Sequence, residues 1–153
     1  MKRETVIWIT KYLLDGMYFL GVIVTLVLPI PGVVQHILEF FHYQDFEGHC
    51  TELIVIYFVL GIMAVLILGE LRKMFRTVLK QDCFVKENVV SLQRMGTYSF
   101  VIALVCLLRT ALYMTVAMLI LILVFIIAGL FSKVLAFVFD QAVEYKLEND
   151  LTI

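Results

Sequence analysis

The chain has 153 residues, is 63 % hydrophobic and only 16 % charged, and carries a net charge of −1. That composition leaves little polar surface for a soluble domain, and 8 glycines and 2 prolines are too few for a linker or a low-complexity tract. No fixed-period repeat is visible, and the chain reads as one membrane domain.

Four stretches carry no charge: Gly16–Leu38, Leu53–Gly69, Met95–Leu108 and Thr110–Ser132. A hydrocarbon layer ~30 Å thick is crossed by ~20 apolar residues in a helix. The expectation is therefore an all-α, integral membrane four-helix bundle, with spans near 12–30, 52–70, 94–111 and 114–133. Between them lie an outer loop at 31–51 and a cytoplasmic loop at 71–93, and a cytoplasmic C-terminal helix follows at 134–149. Spans two and four are expected to continue as helical extensions into the cytoplasm.

Lys2, Arg3 and Lys11 precede the first span, Arg72, Lys73, Arg76, Lys80, Lys86 and Arg94 lie between the second and third, and Lys133 and Lys146 follow the fourth. The 31–51 connection has no Lys or Arg and holds Glu39, Asp45 and Glu47, with Glu52 just beyond. Basic residues in short loops stay on the cytoplasmic side during insertion, which predicts both termini and the central loop in the cytoplasm.

The first helix is expected to begin near Thr5, with Trp8 and Tyr12 at the interface. Its basic start resembles a signal peptide. No small-residue cleavage pattern follows, and Pro29-Ile30-Pro31 ends the run, so an uncleaved span is expected. Asp15 stands four residues after Lys11, at the spacing of a helical ion pair. Its shallow position favours that pairing over transport.

Beyond the prolines, Val33, Val34, Ile37, Leu38 and Phe41 recur at helical spacing and predict a short helix on the outer leaflet. His36, His42, His49 and Cys50 share this loop. They are zinc-ligand types, but their spacing matches no metal signature, and ordinary exposed polar residues are the expected reading. A pH-responsive role is the other option for them. Cys50, Cys83 and Cys106 are placed outside, inside and within the membrane, so none pairs with another in one copy.

The second helix carries an apolar face of Leu71, Met74, Phe75, Val78 and Leu79 beside a basic stripe of Arg72, Arg76 and Lys80. Asp82 is expected to cap the third helix, on which Val85, Val89, Leu92 and Gly96 share a face. If the third span starts at Arg94, Arg109 reaches the outer surface, where it snorkels to water and pairs with Glu52 or Asp45. The fourth helix continues with an apolar face of Leu135, Val138, Phe139 and Ala142 beside an acidic stripe of Asp140, Glu144 and Glu148.

The opposite stripes imply that the two extensions pack together or grip one cytoplasmic partner. In the alternative, each lies on the inner leaflet. Anionic lipid attracts the basic helix but not the acidic one, which favours protein contact for the C-terminal helix.

No nucleophile elbow, zinc-protease motif, phosphate loop, dinucleotide fingerprint or CxxC pair occurs. The spans hold few polar groups, and no close glycine pair marks a contact face. An enzyme, a cofactor site and direct nucleic-acid binding are not expected.

Phe84-Val85-Lys86-Glu87-Asn88-Val89, followed by Leu92 and Met95-Gly96, resembles the central loop of a bacterial family, domain of unknown function 2975. The ending Leu147-Glu148-Asn149-Asp150-Leu151-Thr152-Ile153 resembles the same family's C-terminal signature. Cys83 stands where the family usually has Pro. The resemblance covers essentially the whole chain and implies a multi-pass protein of the bacterial cytoplasmic membrane. It implies no agreed catalytic residues, and an association with small cytoplasmic helix-turn-helix regulators.

The expected function is thus a non-enzymatic sensor or tether. A partner would contact Arg72, Arg76, Lys80, Phe84, Glu87, Asn88, Asp140, Glu144, Glu148, Asn149 and Asp150. A homo-oligomer is compatible with this reading. The alternatives are a small transporter or immunity-type membrane protein, or a metal-dependent role for the outer loop.

Overall fold

The computed structural model describes residues 3–30, 32, 33, 36, 50–80, 82–112 and 114–151. Among them the chain is all α. Helix α1 is Arg3–Val27, α2 is Cys50–Leu79, α3 is Lys86–Leu112 and α4 is Val116–Leu151. All four are long and apolar enough to cross a membrane. The predicted outer-leaflet helix and most of its residues lie outside the described residues, as do His42, His49 and Asp45.

Helix boundaries follow local chemistry. α1 ends at Val27, two residues before Pro29, because a proline disfavours helical geometry in the residue before it and cannot donate to the preceding turn. The third helix begins at Lys86, well before Arg94, so the polar run 86–94 is already helical. α4 has 36 residues and is about 54 Å long, far more than a ~30 Å hydrocarbon layer requires.

The helices run up and down, and each packs mainly on its neighbour in the chain: α1 on α2, α2 on α3, α3 on α4. This places the start of α1, the α2–α3 connection and the end of α4 at one charged end. α3 has the shortest charge-free stretch and is the most deeply buried helix. Four of its polar residues, Asn88, Ser91, Ser99 and Arg109, are buried, together with Val89, Leu92, Ile102, Ala103 and Cys106. Polar groups are costly against lipid, so the least apolar span takes the place between two more apolar ones. The broad apolar faces of α1 and α4 are exposed, as lipid-facing surfaces must be.

A close crossing joins α3 to α4 at two glycines 33 positions apart. A Cβ on Gly96 would lie 3.0 Å from the Gly129 carbonyl oxygen, and one on Gly129 would lie 3.2 Å from the Gly96 carbonyl oxygen. Small residues let membrane helices approach backbone to backbone. A glycine contact therefore exists, although no close pair in the sequence announces it. Nearby, the Ser132 hydroxyl donates to the Leu92 carbonyl at 2.8 Å, tying α4 to α3.

The α4 seam differs from expectation by a small rotation. Ala136 and Val143 are buried with Val89 and Leu92, and Met74, Leu135 and Phe139 pack around them. Val138 is 53 % exposed and faces away. Contact with α3 selects the 132, 136, 139, 143 line, which an apolar run on both sides does not distinguish.

Arg109 is also corrected. It is 7 % exposed rather than snorkelled to water, and among the described residues neither Glu52 nor any other carboxylate pairs with it. Its guanidinium lies 5.1 Å from the Tyr57 ring centre, and Nη1 donates to the Met118 sulfur at 3.3 Å. The charge is held by an aromatic face and a soft acceptor between α2 and α4, in the last turn of α3.

Candidate functional site: the charged end of the bundle

The side chains that differ most from a plain apolar bundle gather at the charged end. Glu70 is its centre, only 5 % exposed. It is the first acid after the charge-free stretch of α2, and one turn of helix brings Lys73 to it: Lys73 Nζ donates to Oε1 at 2.8 Å. From α3, Ser91 Oγ donates to Oε2 at 2.8 Å, and Arg94 Nη1 reaches Oε1 at 3.4 Å. A buried carboxylate is tolerable when its lone pairs are used in this way. In the sequence Glu70 stands only at the end of the expected 52–70 span, and the signal for its role is Lys73 at i+3 together with Ser91 and Arg94, which share a face at the same interval.

Asp15 pairs with Arg72, not with Lys11. Arg72 Nε donates to Oδ1 at 2.6 Å, and the guanidinium sits 4.5 Å from the Tyr18 ring centre. Lys11 instead lies over the Trp8 ring at 5.0 Å, next to Tyr12. Tertiary packing of α1 on α2 offers Asp15 a fixed guanidinium, a better partner than a flexible ammonium on its own helix. The pair therefore joins α1 to α2.

Asn88 is 2 % exposed, which corrects its assignment to a partner-facing surface. Its amide donates to the Thr77 hydroxyl and to the Cys83 carbonyl, both at 2.7 Å. Both amide hydrogens are thus used inside the α2–α3 turn, which they close. Asp82 is not the expected helix cap either: α3 begins only at Lys86, and the Asp82 carboxylate accepts from Lys146 at 2.8 Å. That bond and two other contacts fasten α4 to the turn: Lys86 to Asp140, and Phe84 against Phe139 with ring centres 5.5 Å apart.

Asp140 of the acidic stripe therefore meets the start of α3. Asp140 is engaged by Lys86, and Glu144 lies near enough to act on the same ammonium. Glu87 and Glu144 are exposed. Farther along α4, Tyr145, Lys146, Glu148 and Asn149 form a shallow open surface at its tip. The Asp150 side chain lies outside the described residues. Arg76 in the last turn of α2 and Lys80 just after it are exposed and stand between two grooves, one toward α1 and one toward α3.

His36 is exposed, and among the described residues no group of three His, Cys, Asp or Glu side chains is placed to hold a metal. The Ser91 hydroxyl, although bonded to a carboxylate, is buried and directed into the helix contact. What this end offers is a cationic groove, an engaged buried carboxylate and an acidic, aromatic helical tip.

No curated protein and no solved structure matches the chain. A family model does, described as "Protein of unknown function (DUF2975)", over residues 23–153. The match takes in spans two to four, the α2–α3 turn and the helical tip, and only the end of α1 before them. The chain belongs to the DUF2975 family of proteins of unknown function.

Proposed function

We propose that the protein is a non-enzymatic sensor or tether of the bacterial cytoplasmic membrane. Its charged end faces the cytoplasm and holds a protein partner on the end of α4. The partner class is a small helix-turn-helix transcription regulator, and the membrane domain controls its availability.

One observation carries this reading. α4 is about 24 Å longer than a ~30 Å hydrocarbon layer needs, and its last turns expose Glu144, Tyr145, Leu147 and Glu148. An acidic helix gains nothing from an anionic leaflet, so the inner membrane surface does not account for it. The contacts of Lys86, Phe84 and Asp82 with α4 support a rigid presentation of this tip, because they brace it against the α2–α3 turn.

The test is co-purification of the tagged full-length chain with a co-expressed regulator from its gene neighbourhood. Glu144→Lys, or truncation after Leu147, is expected to lower recovery of the regulator at least tenfold while membrane insertion is unchanged. Equal recovery with both variants contradicts the proposal.

A further inference from the structure

We propose that the groove between α2 and α3 binds the phosphate of an anionic phospholipid. The groove has a volume of about 540 Å³ and is lined by five cations, Lys73, Arg76, Lys80, Lys86 and Arg94, against two carboxylates, Glu70 and Glu87. Three of the cations are engaged: Lys73 and Arg94 on Glu70, and Lys86 on Asp140. Arg76 and Lys80 are different. Four residues apart at the end of α2, both exposed, they make no side-chain hydrogen bond or ion pair among the described residues.

Their depth selects the ligand. The charge-free stretch Leu53–Gly69 spans about 25 Å, so a ~30 Å hydrocarbon layer ends near the turn that holds Glu70. Arg76 and Lys80 follow about two and three turns later, where long cationic side chains reach back to lipid phosphates. Arginine adds a planar fork that matches phosphate oxygens.

The surroundings favour a lipid over a soluble phosphate. On the other side of Arg76 and Lys80, the α1–α2 groove of about 400 Å³ has apolar walls of Leu14, Phe75 and Leu79. Val90, 40 % exposed, lies at the lip of the α2–α3 groove. Glycerol and acyl carbons can cover these walls, whereas inorganic phosphate leaves them bare. Glu144 and the α4 tip are not part of either groove, so this site stands or falls separately from partner binding.

The experiment is a binding titration of the purified full-length chain in neutral detergent, read by native mass spectrometry. The probes are phosphatidylglycerol, phosphatidylcholine and inorganic phosphate. Phosphatidylglycerol is expected to be retained, and phosphatidylcholine is not. With roughly a tenfold loss per 1.4 kcal/mol and about 1 kcal/mol per basic residue, the double variant Arg76→Gln, Lys80→Gln should bind phosphatidylglycerol roughly thirtyfold more weakly. Both side chains are exposed, so the variant keeps the fold. Lys133→Gln, which removes a cation on α4 outside the groove, should bind like the wild type. Undiminished binding by the double variant overturns the site, as does equal retention of phosphatidylcholine. Inorganic phosphate bound as tightly as phosphatidylglycerol overturns the lipid assignment.

Discussion

Gly96→Leu is expected to lower stability by about 3 kcal/mol. At Gly96 the first carbon of any side chain already meets the Gly129 carbonyl oxygen at 3.0 Å and Lys133 Cγ at 3.0 Å. Lys133 can swing away, but the Gly129 carbonyl is helix backbone and moves only with α4. A leucine therefore pushes α3 and α4 apart along the seam that contains Val89, Leu92, Ala136 and Val143. Overpacking of this kind costs ~1–3 kcal/mol and occasionally more, and the better helix propensity of leucine offsets less than ~1 kcal/mol. In thermal unfolding in detergent, the midpoint should fall by on the order of 10 °C. Gly16→Leu is the control. Nothing lies within 4 Å of a Cβ there, and its midpoint should not fall.

Glu70→Ala is the second large effect, with an expected loss of about 2 kcal/mol. The variant leaves the buried Ser91 hydroxyl without its acceptor and separates Lys73 and Arg94 from their shared carboxylate. Hydrogen bonds to a charged group contribute ~1.5–3 kcal/mol. The two cations are more than half exposed and recover hydration, which keeps the loss below that of a fully buried ion pair. Glu70→Gln keeps an oxygen for Ser91 and should lose about half as much. Glu87→Ala, on the exposed rim of the same groove, should stay within ~0.5 kcal/mol of wild type. Equal midpoints for Glu70→Ala and Glu87→Ala would show that Glu70 is not the anchor of this end.

The spans were legible because lipid imposes a length and excludes charge, and the charge-free stretches mark them directly. The end of α1 was legible from Pro29. What the sequence did not expose depends on partners brought together by folding. Asp15 has Lys11 on its own helix at the right interval, yet Arg72, 57 positions away, takes it. Gly96 and Gly129 form no motif within one helix and become a crossing only when α3 and α4 are adjacent. The phase of the α4 seam was ambiguous because a lipid-facing helix is apolar on every side. The same holds for Arg109, whose expected route to water is closed by Tyr57 and Met118.

At the charged end, the two stripes were visible as patterns, but their partners were not. Asp140 of the acidic stripe is engaged by Lys86 at the start of α3. Arg76 and Lys80 stay exposed beside it, and the α4 tip lies outside both grooves. The proposed lipid and protein sites therefore occupy separate places on one end of the bundle.

The central claim is that this end lies in the cytoplasm. The direct measurement is labelling of intact cells with a membrane-impermeant maleimide, using single cysteines in a chain with Cys50, Cys83 and Cys106 replaced by serine. Tyr145→Cys on the tip of α4 and Met114→Cys in the α3–α4 connection report the two ends, at positions 72 % and 80 % exposed. The account predicts that Met114→Cys is labelled in intact cells and Tyr145→Cys only after the membrane is permeabilised. Labelling of Tyr145→Cys from outside, with Met114→Cys protected, would contradict it.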